Sequence, residues 1–139
     1  LMRVLESGLA AERFSKMVSM QGGPGDLLER PQKYFEPAPV VRELPAPKDG
    51  YIEYMDTRAI GLSIVGLGGG RLRSDDKIDH RVGLSDFRLV GQFISKGDPL
   101  VTIHAADEEA WQAAADELQS AIIVGRKKDE LPAVYEQFS

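Results

Sequence analysis

The chain of 139 residues contains no cysteine, so neither a disulfide framework nor a thiolate metal site is open to it. Histidine is scarce. His80 and His104 are the only two, and each alternates with apolar neighbours as a packed or edge strand residue does, not as a general base does. Basic charge is also short: 17 Lys and Arg against 22 Asp and Glu give a net charge of −5 with no basic stripe, which argues against a nucleic-acid partner. No apolar run reaches the ~18 residues that a membrane-spanning helix needs. The opening Leu1-Met2-Arg3-Val4 lacks the charged start and apolar stretch of a signal peptide. It begins inside a helical pattern without an initiating methionine, as a portion of a longer protein would.

What is present is ordinary for a globular chain, with 42% hydrophobic and 28% charged residues. A chain of this size makes one domain, or a small domain plus a piece of another, and buries roughly two-thirds of its unfolded surface. Leu1, Val4 and Leu5 share a helix face that Gly8 can end in a left-handed conformation. A second helix is predicted from Ala10 to Met20 with Ala10, Phe14, Met17 and Val18 on one stripe, stopped by Gly22-Gly23-Pro24. Asp26 caps about one further helical turn, and Pro31 starts another.

Pro37, Pro39, Pro45 and Pro47 mark residues 37–49 as a stiff connection with few packing contacts, enclosing a short strand from Val40 to Leu44. This divides the chain into a helical segment 1–36, the connection 37–49 and a domain 50–139. Asp49-Gly50 is a turn signal leading into Tyr51–Tyr54, which predicts a hairpin or a close strand pair. Asp56 or Thr57 caps a helix to about Leu67 whose Ala59, Ile60, Leu62, Ile64, Val65 and Leu67 are apolar nearly all round, so it should be buried. Gly61 and Gly66 cost such a helix roughly 1 kcal/mol each, which the close approach of a strand would offset.

Alternation predicts a strand over Ile78–Val82, another over Phe87–Val90, and a strong one over Leu100–Ala105 after the turn-rich Gly91–Pro99. Asp107, Glu108 and Glu109 open a final helix with the stripe Trp111, Ala114, Ala115, Leu118, Ala121 and Ile122, which should lie on the sheet with Trp111 buried. Gly125 ends it, Arg126, Lys127 and Lys128 sit at its negative end, and Val134 and Tyr135 suggest an edge strand within 131–138. The fold class expected is α+β.

Three clusters could carry chemistry. Gly66-Leu67-Gly68-Gly69-Gly70-Arg71 starts like a phosphate loop, but Arg71 stands where a dinucleotide fingerprint needs glycine. Those glycines also follow a helix, at its negative end, whereas phosphate binds at the positive one. A helix C-cap leading into a loop is the better reading. Asp75, Asp76 and Asp79 lack calcium-loop spacing and have Lys77 among them, so they read as a solvated turn and not a metal site. No serine or acid has a spacing that specifies a triad with either histidine.

Met55-Asp56-Thr57-Arg58-Ala59, Gly68-Gly69-Gly70-Arg71, Asp79 with Val82-Gly83, and Ile103-His104-Ala105 together resemble the C-terminal domain of pyrimidine-nucleoside phosphorylases. Ala10-Ala11-Glu12-Arg13-Phe14-Ser15-Lys16-Met17-Val18 fits the same family upstream, so the resemblance covers nearly the whole chain. It implies N-terminal helices from a large α/β domain, followed by an α/β-hammerhead, barrel-sandwich-like domain. It also implies a cytoplasmic full-length enzyme, homodimeric through an upstream helical domain, that uses thymidine and inorganic phosphate and needs no cofactor and no metal. The family's catalytic and phosphate-binding residues match nothing here and lie upstream, so this portion should be an inactive scaffold and lid. Gly69, Gly70 and Arg71 correspond to a loop near the cleft that can order on closure. Lys96-Gly97-Asp98-Pro99-Leu100 is similar to turns of biotinyl and lipoyl carrier domains, and a stand-alone binding or carrier module is the rival reading. However, the position where a carrier presents its lysine holds Met55-Asp56-Thr57.

Overall fold

The computed structural model describes residues 2–126, and the chain divides into two compact units between Pro37 and Ala38. The first contains α1 (Met2–Glu6) and α2 (Leu9–Met20). Gly8 separates them at φ 77°, the left-handed angle that glycine takes without a Cβ penalty. Neither helix has a buried residue, and Phe14 and Met17 of the apolar stripe are largely exposed. After Gly22-Gly23-Pro24 the Arg30 amide donates to the Asp26 carbonyl at 2.9 Å, closing one helical turn, and Pro31–Lys33 form a 3-10 turn. Both short turns fall where proline and aspartate were expected to start them. The Tyr34 hydroxyl and the Lys33 ammonium both donate to the Asp26 carboxylate, which lowers its pKa, chiefly through the tyrosine hydrogen bond.

The second unit is α+β. Its elements are β1 (Val40–Pro45), β2 (Gly50–Met55), α3 (Thr57–Gly66), β3 (Gly83–Ser85), β4 (Phe93–Ile94), β5 (Pro99–Ala105), α4 (Glu108–Ala121) and β6 (Ile122–Gly125). They build two three-stranded antiparallel sheets, ordered β1-β5-β3 and β4-β2-β6. Leu100, Val101, Ile103 and Ala105 of β5 are fully buried, as are Ile52 of β2 and Leu118 of α4, so the core lies between β5, β2 and α4. Asp107 caps α4 through Ala110 N–H at 2.8 Å, and Glu108 and Glu109 occupy its first turn, where the helix dipole favours acids. Among the described residues no helix is long and apolar enough to cross a membrane.

Several sequence expectations change here. Residues 38–49 are not a loosely packed connection: β1 pairs along its length with β5, and Ala38, Leu44 and Ala46 are buried. Asp49-Gly50 does not close a hairpin, because β1 and β2 belong to different sheets. Register slips at Leu44/Pro45, where proline has no amide to donate, and Ala46 then bonds the 97–98 turn instead. Gly50 is needed for a different reason, since a Cβ there would stand 2.3 Å from the Gly125 carbonyl of β6.

Ile78–Val82 is not a strand. The Asp79 carboxylate accepts from the Arg81 amide at 3.0 Å, a side-chain turn that competes with a ladder. Phe87–Val90 is irregular as well, after Asp86 takes φ 56°. Helix α4 ends at Ala121 without needing Gly125, because the β-branched run Ile122-Ile123-Val124 turns extended and pairs with β2. Helix α3 is half-exposed, with Ser63 its only buried residue, and nothing stands within 4 Å of a Cβ built at Gly61 or Gly66. The expected strand within 131–138, and Leu1, Lys127 and Lys128, lie outside the described residues.

Trp111 is half-buried, not fully buried. Its indole N–H reaches the Arg42 carbonyl at 3.4 Å while the Arg42 guanidinium lies 4.1 Å from the ring centroid and also pairs with Glu108. The anchor of α4 is Leu118, at 0% exposure. Leu118→Ala is therefore expected to destabilise the fold by ~2–5 kcal/mol in urea denaturation, and Trp111→Ala by less. Equal or reversed costs would show that the tryptophan carries the helix.

Candidate functional site

The glycine cluster is a helix C-terminus built in detail. Helix α3 begins with the Asp56 side chain accepting from the Arg58 and Ala59 amides, both at 3.0 Å. It ends at Leu67, after which Gly68 turns left-handed at φ 93°. The Gly68 amide then donates to the Val65 carbonyl at 3.0 Å, and the Gly69 amide to the Ile64 carbonyl at 2.9 Å. These two reversed bonds form a Schellman cap, which satisfies carbonyls that the helix leaves open. The expected C-cap is thus found, and its acceptor-rich end faces the loop.

Gly69 and Gly70 are small for steric reasons. A Cβ at Gly69 would lie 2.9 Å from Ile64 Cγ2, and one at Gly70 would lie 2.8 Å from Val65 Cγ2. Left-handed geometry is confined to Gly68 within this triplet. Beyond it the loop carries exposed Arg71, Leu72 and Arg73, with Leu72 at 81% exposure. Asp76 ties the loop to itself by accepting from the Leu72 and Arg73 amides at 3.0 and 2.8 Å. The Asp79 amide donates to the Gly68 carbonyl at 2.9 Å and closes the base of the loop onto the cap.

The acidic cluster is divided by these roles. Asp75 pairs with Arg73, Asp76 holds backbone amides, and Asp79 forms a two-pronged pair with Arg81 at 2.9 and 2.7 Å. Among the described residues no group of three His, Asp or Glu side chains is arranged to hold a metal ion. The Arg81 hydrogen bonds, first from its side chain and then from its backbone, lower the Asp79 pKa to about 2.

Pairing of β3 with β5 makes one contact that spacing did not show. Ser85 Oγ lies 2.9 Å from His104 Nε2 and donates to Asp86 Oδ2 at 2.7 Å. The hydroxyl has one proton, so His104 is the donor on its other side. A hydrolytic triad needs the reverse: histidine accepting from serine, with the carboxylate behind the imidazole. This trio therefore orders the outer face of a sheet and does not activate Ser85 through His104. His80 is exposed beside the Asp79 turn.

The geometry defines an α+β domain of two small antiparallel sheets with a glycine-capped loop at the end of its first helix. The chain belongs to the pyrimidine nucleoside phosphorylase family by its C-terminal domain, whose family model matches residues 51–125. It is 44% identical over 137 residues to the thymidine phosphorylase of Burkholderia orbicola, covering 99% of this chain and 31% of that protein. Thymidine phosphorylases of Burkholderia cenocepacia and Sinorhizobium fredii are each 43% identical, over 99% and 94% of this chain and 31% and 29% of their own length. The chain thus spans under a third of the length of these relatives.

The Asp79–Arg81 pair has a pH signature. A folded pKa near 2 against an ordinary 3.8 means its stabilisation is complete above about pH 4 and is lost as pH falls through about 2. Carboxyl NMR titration should find Asp79 protonating well below the ordinary aspartate value, with Arg81→Gln returning it towards 3.8. An unchanged midpoint in that variant would rule out the pair as the cause.

Proposed function

We propose that this chain is the C-terminal portion of a thymidine phosphorylase. The observation that carries the reading is the match of 99% of the chain to proteins of that name at 44% identity. In this reading, residues 1–36 are helices of the enzyme's large α/β domain, and the packed unit from Ala38 onward is its hammerhead, barrel-sandwich-like domain. The full-length protein carries out reversible phosphorolysis. Phosphate attacks the anomeric carbon of thymidine, the bond to the base breaks, and thymine and 2-deoxy-D-ribose 1-phosphate leave. This is a pentosyl transfer of pyrimidine nucleoside salvage. Inorganic phosphate is the co-substrate, and no redox cofactor or metal takes part.

The transition state gains positive character on the sugar and negative charge on the departing base, so donors preorganised around the base carry the catalysis. Those donors belong to the upstream polypeptide, as does the helical domain through which the cytoplasmic enzyme dimerises. The present portion contributes scaffold and lid. Support for the lid comes from the loop after Gly68, which projects exposed Arg71, Leu72 and Arg73 from a base pinned by the Asp79-to-Gly68 hydrogen bond. The carrier-module alternative is weakened at Asp56, which is occupied as the cap of α3.

The pure 139-residue chain is expected to release no thymine from thymidine and phosphate above a buffer control, while the full-length protein does. Thymine release by the short chain would overturn the assignment of catalysis to upstream segments. A panel of thymidine, deoxyuridine and uridine separates thymidine preference from that of a broader pyrimidine-nucleoside phosphorylase.

In the full-length enzyme, replacing Gly69 and Gly70 by alanine is expected to lower kcat by roughly tenfold or more while the protein stays folded. The cause is the added methyl groups, which press on Ile64 and Val65 and tilt the loop away from its base. Full turnover in a folded double variant would reduce the loop to a connector.

A further inference from the structure

The sheet β4-β2-β6 leaves one face apolar and open among the described residues. Its register sets Tyr51 opposite Phe93 and Gly125, and Tyr54 opposite Ile123. Tyr51 and Phe93 meet edge to face with 5.3 Å between ring centroids. Phe93, Tyr54 and Ile123 are 59%, 58% and 44% exposed, while Ile94, Ile52, Ile122 and Val124 on the same strands are buried in the core. This face is therefore aromatic where an antiparallel sheet in contact with water is polar. The β2–β6 register slips between Ile52 and Tyr54, which leaves Glu53 as the extra residue of a bulge. The Glu53 carboxylate lies over Gly125, where any Cβ would collide with it.

We propose that residues 131–138 of this same chain cover that face, with Lys127 and Lys128 drawn beside Glu53. Three observations point the same way. First, β6 delivers the chain to the rim of the face at Gly125, opposite Tyr51, and Leu131, Pro132, Ala133, Val134, Tyr135 and Phe138 follow within a few residues. A short flexible tether holds such a segment at an effective concentration of about millimolar, above that of a second copy in dilute solution. Charge agrees with position, because Arg126, Lys127 and Lys128 leave Gly125 where the Glu53 carboxylate lies. Finally, the thymidine phosphorylase of Burkholderia orbicola matches 137 residues of this chain, whereas the family model stops at residue 125, so most of this stretch belongs to the shared protein. The contact is internal to the chain and independent of the phosphorolytic reading.

Single thiols test the proposal without background, since the chain has no cysteine. In the 139-residue protein, Ile123→Cys should react with an aromatic disulfide reagent at least about tenfold more slowly than Leu72→Cys in the exposed loop. Val134→Asp with Tyr135→Asp should abolish that protection. Tyr54→Cys reads the same face if Ile123→Cys fails to fold. A pair made by Ile123→Cys and Val134→Cys should close a disulfide within the monomer. Thiols at 123 and 54 that react as fast as the one at 72 would overturn the proposal. Protection that survives the two aspartates and grows with protein concentration would also overturn it, in favour of a second copy as the cover. Protection seen only in the full-length protein would overturn it too, and would assign the face to other parts of that polypeptide.

Discussion

Burial of β5 is the constraint on which the second unit depends. Leu100, Val101, Ile103 and Ala105 are all at 0% exposure, and β5 is the central strand of its sheet, between β1 and β3. With β5 in place, β1 and β3 have edges to pair with, and α4 has a floor for Leu118. The second sheet then follows from a short link, because β6 leaves α4 directly and pairs with β2. The close pass of Gly50 and Gly125 brings those two strands together where any side chain would hold them apart.

The glycine loop inherits its position from that frame. Its near end is fixed by the Schellman cap on α3, and its far end by the Asp79 amide on Gly68. Between these anchors, Asp76 and the Asp79–Arg81 pair use local hydrogen bonds and not core burial. A segment held that way can change arrangement without unfolding the sheets, since few buried contacts must break. This property separates loop movement from the stability of the domain.

Helix α3 is specified by its ends more than by its burial. Its N-cap and C-cap are both satisfied, so the helix is well specified by its ends. Its apolar side chains nonetheless exceed what the neighbouring α4 covers. The same mismatch appears in α2, whose Phe14 and Met17 stripe finds no burial within its unit.

The sequence by itself determined the α+β class, both termini of α3, the start of α4, the β5 strand and the cap nature of Gly68-Gly69. These are local: capping side chains, glycine at a left-handed angle and apolar periodicity act within a few residues. Its motif order also pointed to the family. Tertiary structure alone decided that β1 and β2 part into different sheets, that the proline-rich 38–49 is packed, and that Ile122–Val124 leaves the helix for a strand. It also decided that Ile78–Val82 is a turn held by Asp79, and that Ser85 meets His104. Each of those depends on which strand accepts which, and pairing partners far apart in the chain leave no periodic trace in either one. Burial is non-local in the same way: alternation marks which side chains could go inside, while only the neighbours that arrive decide which do.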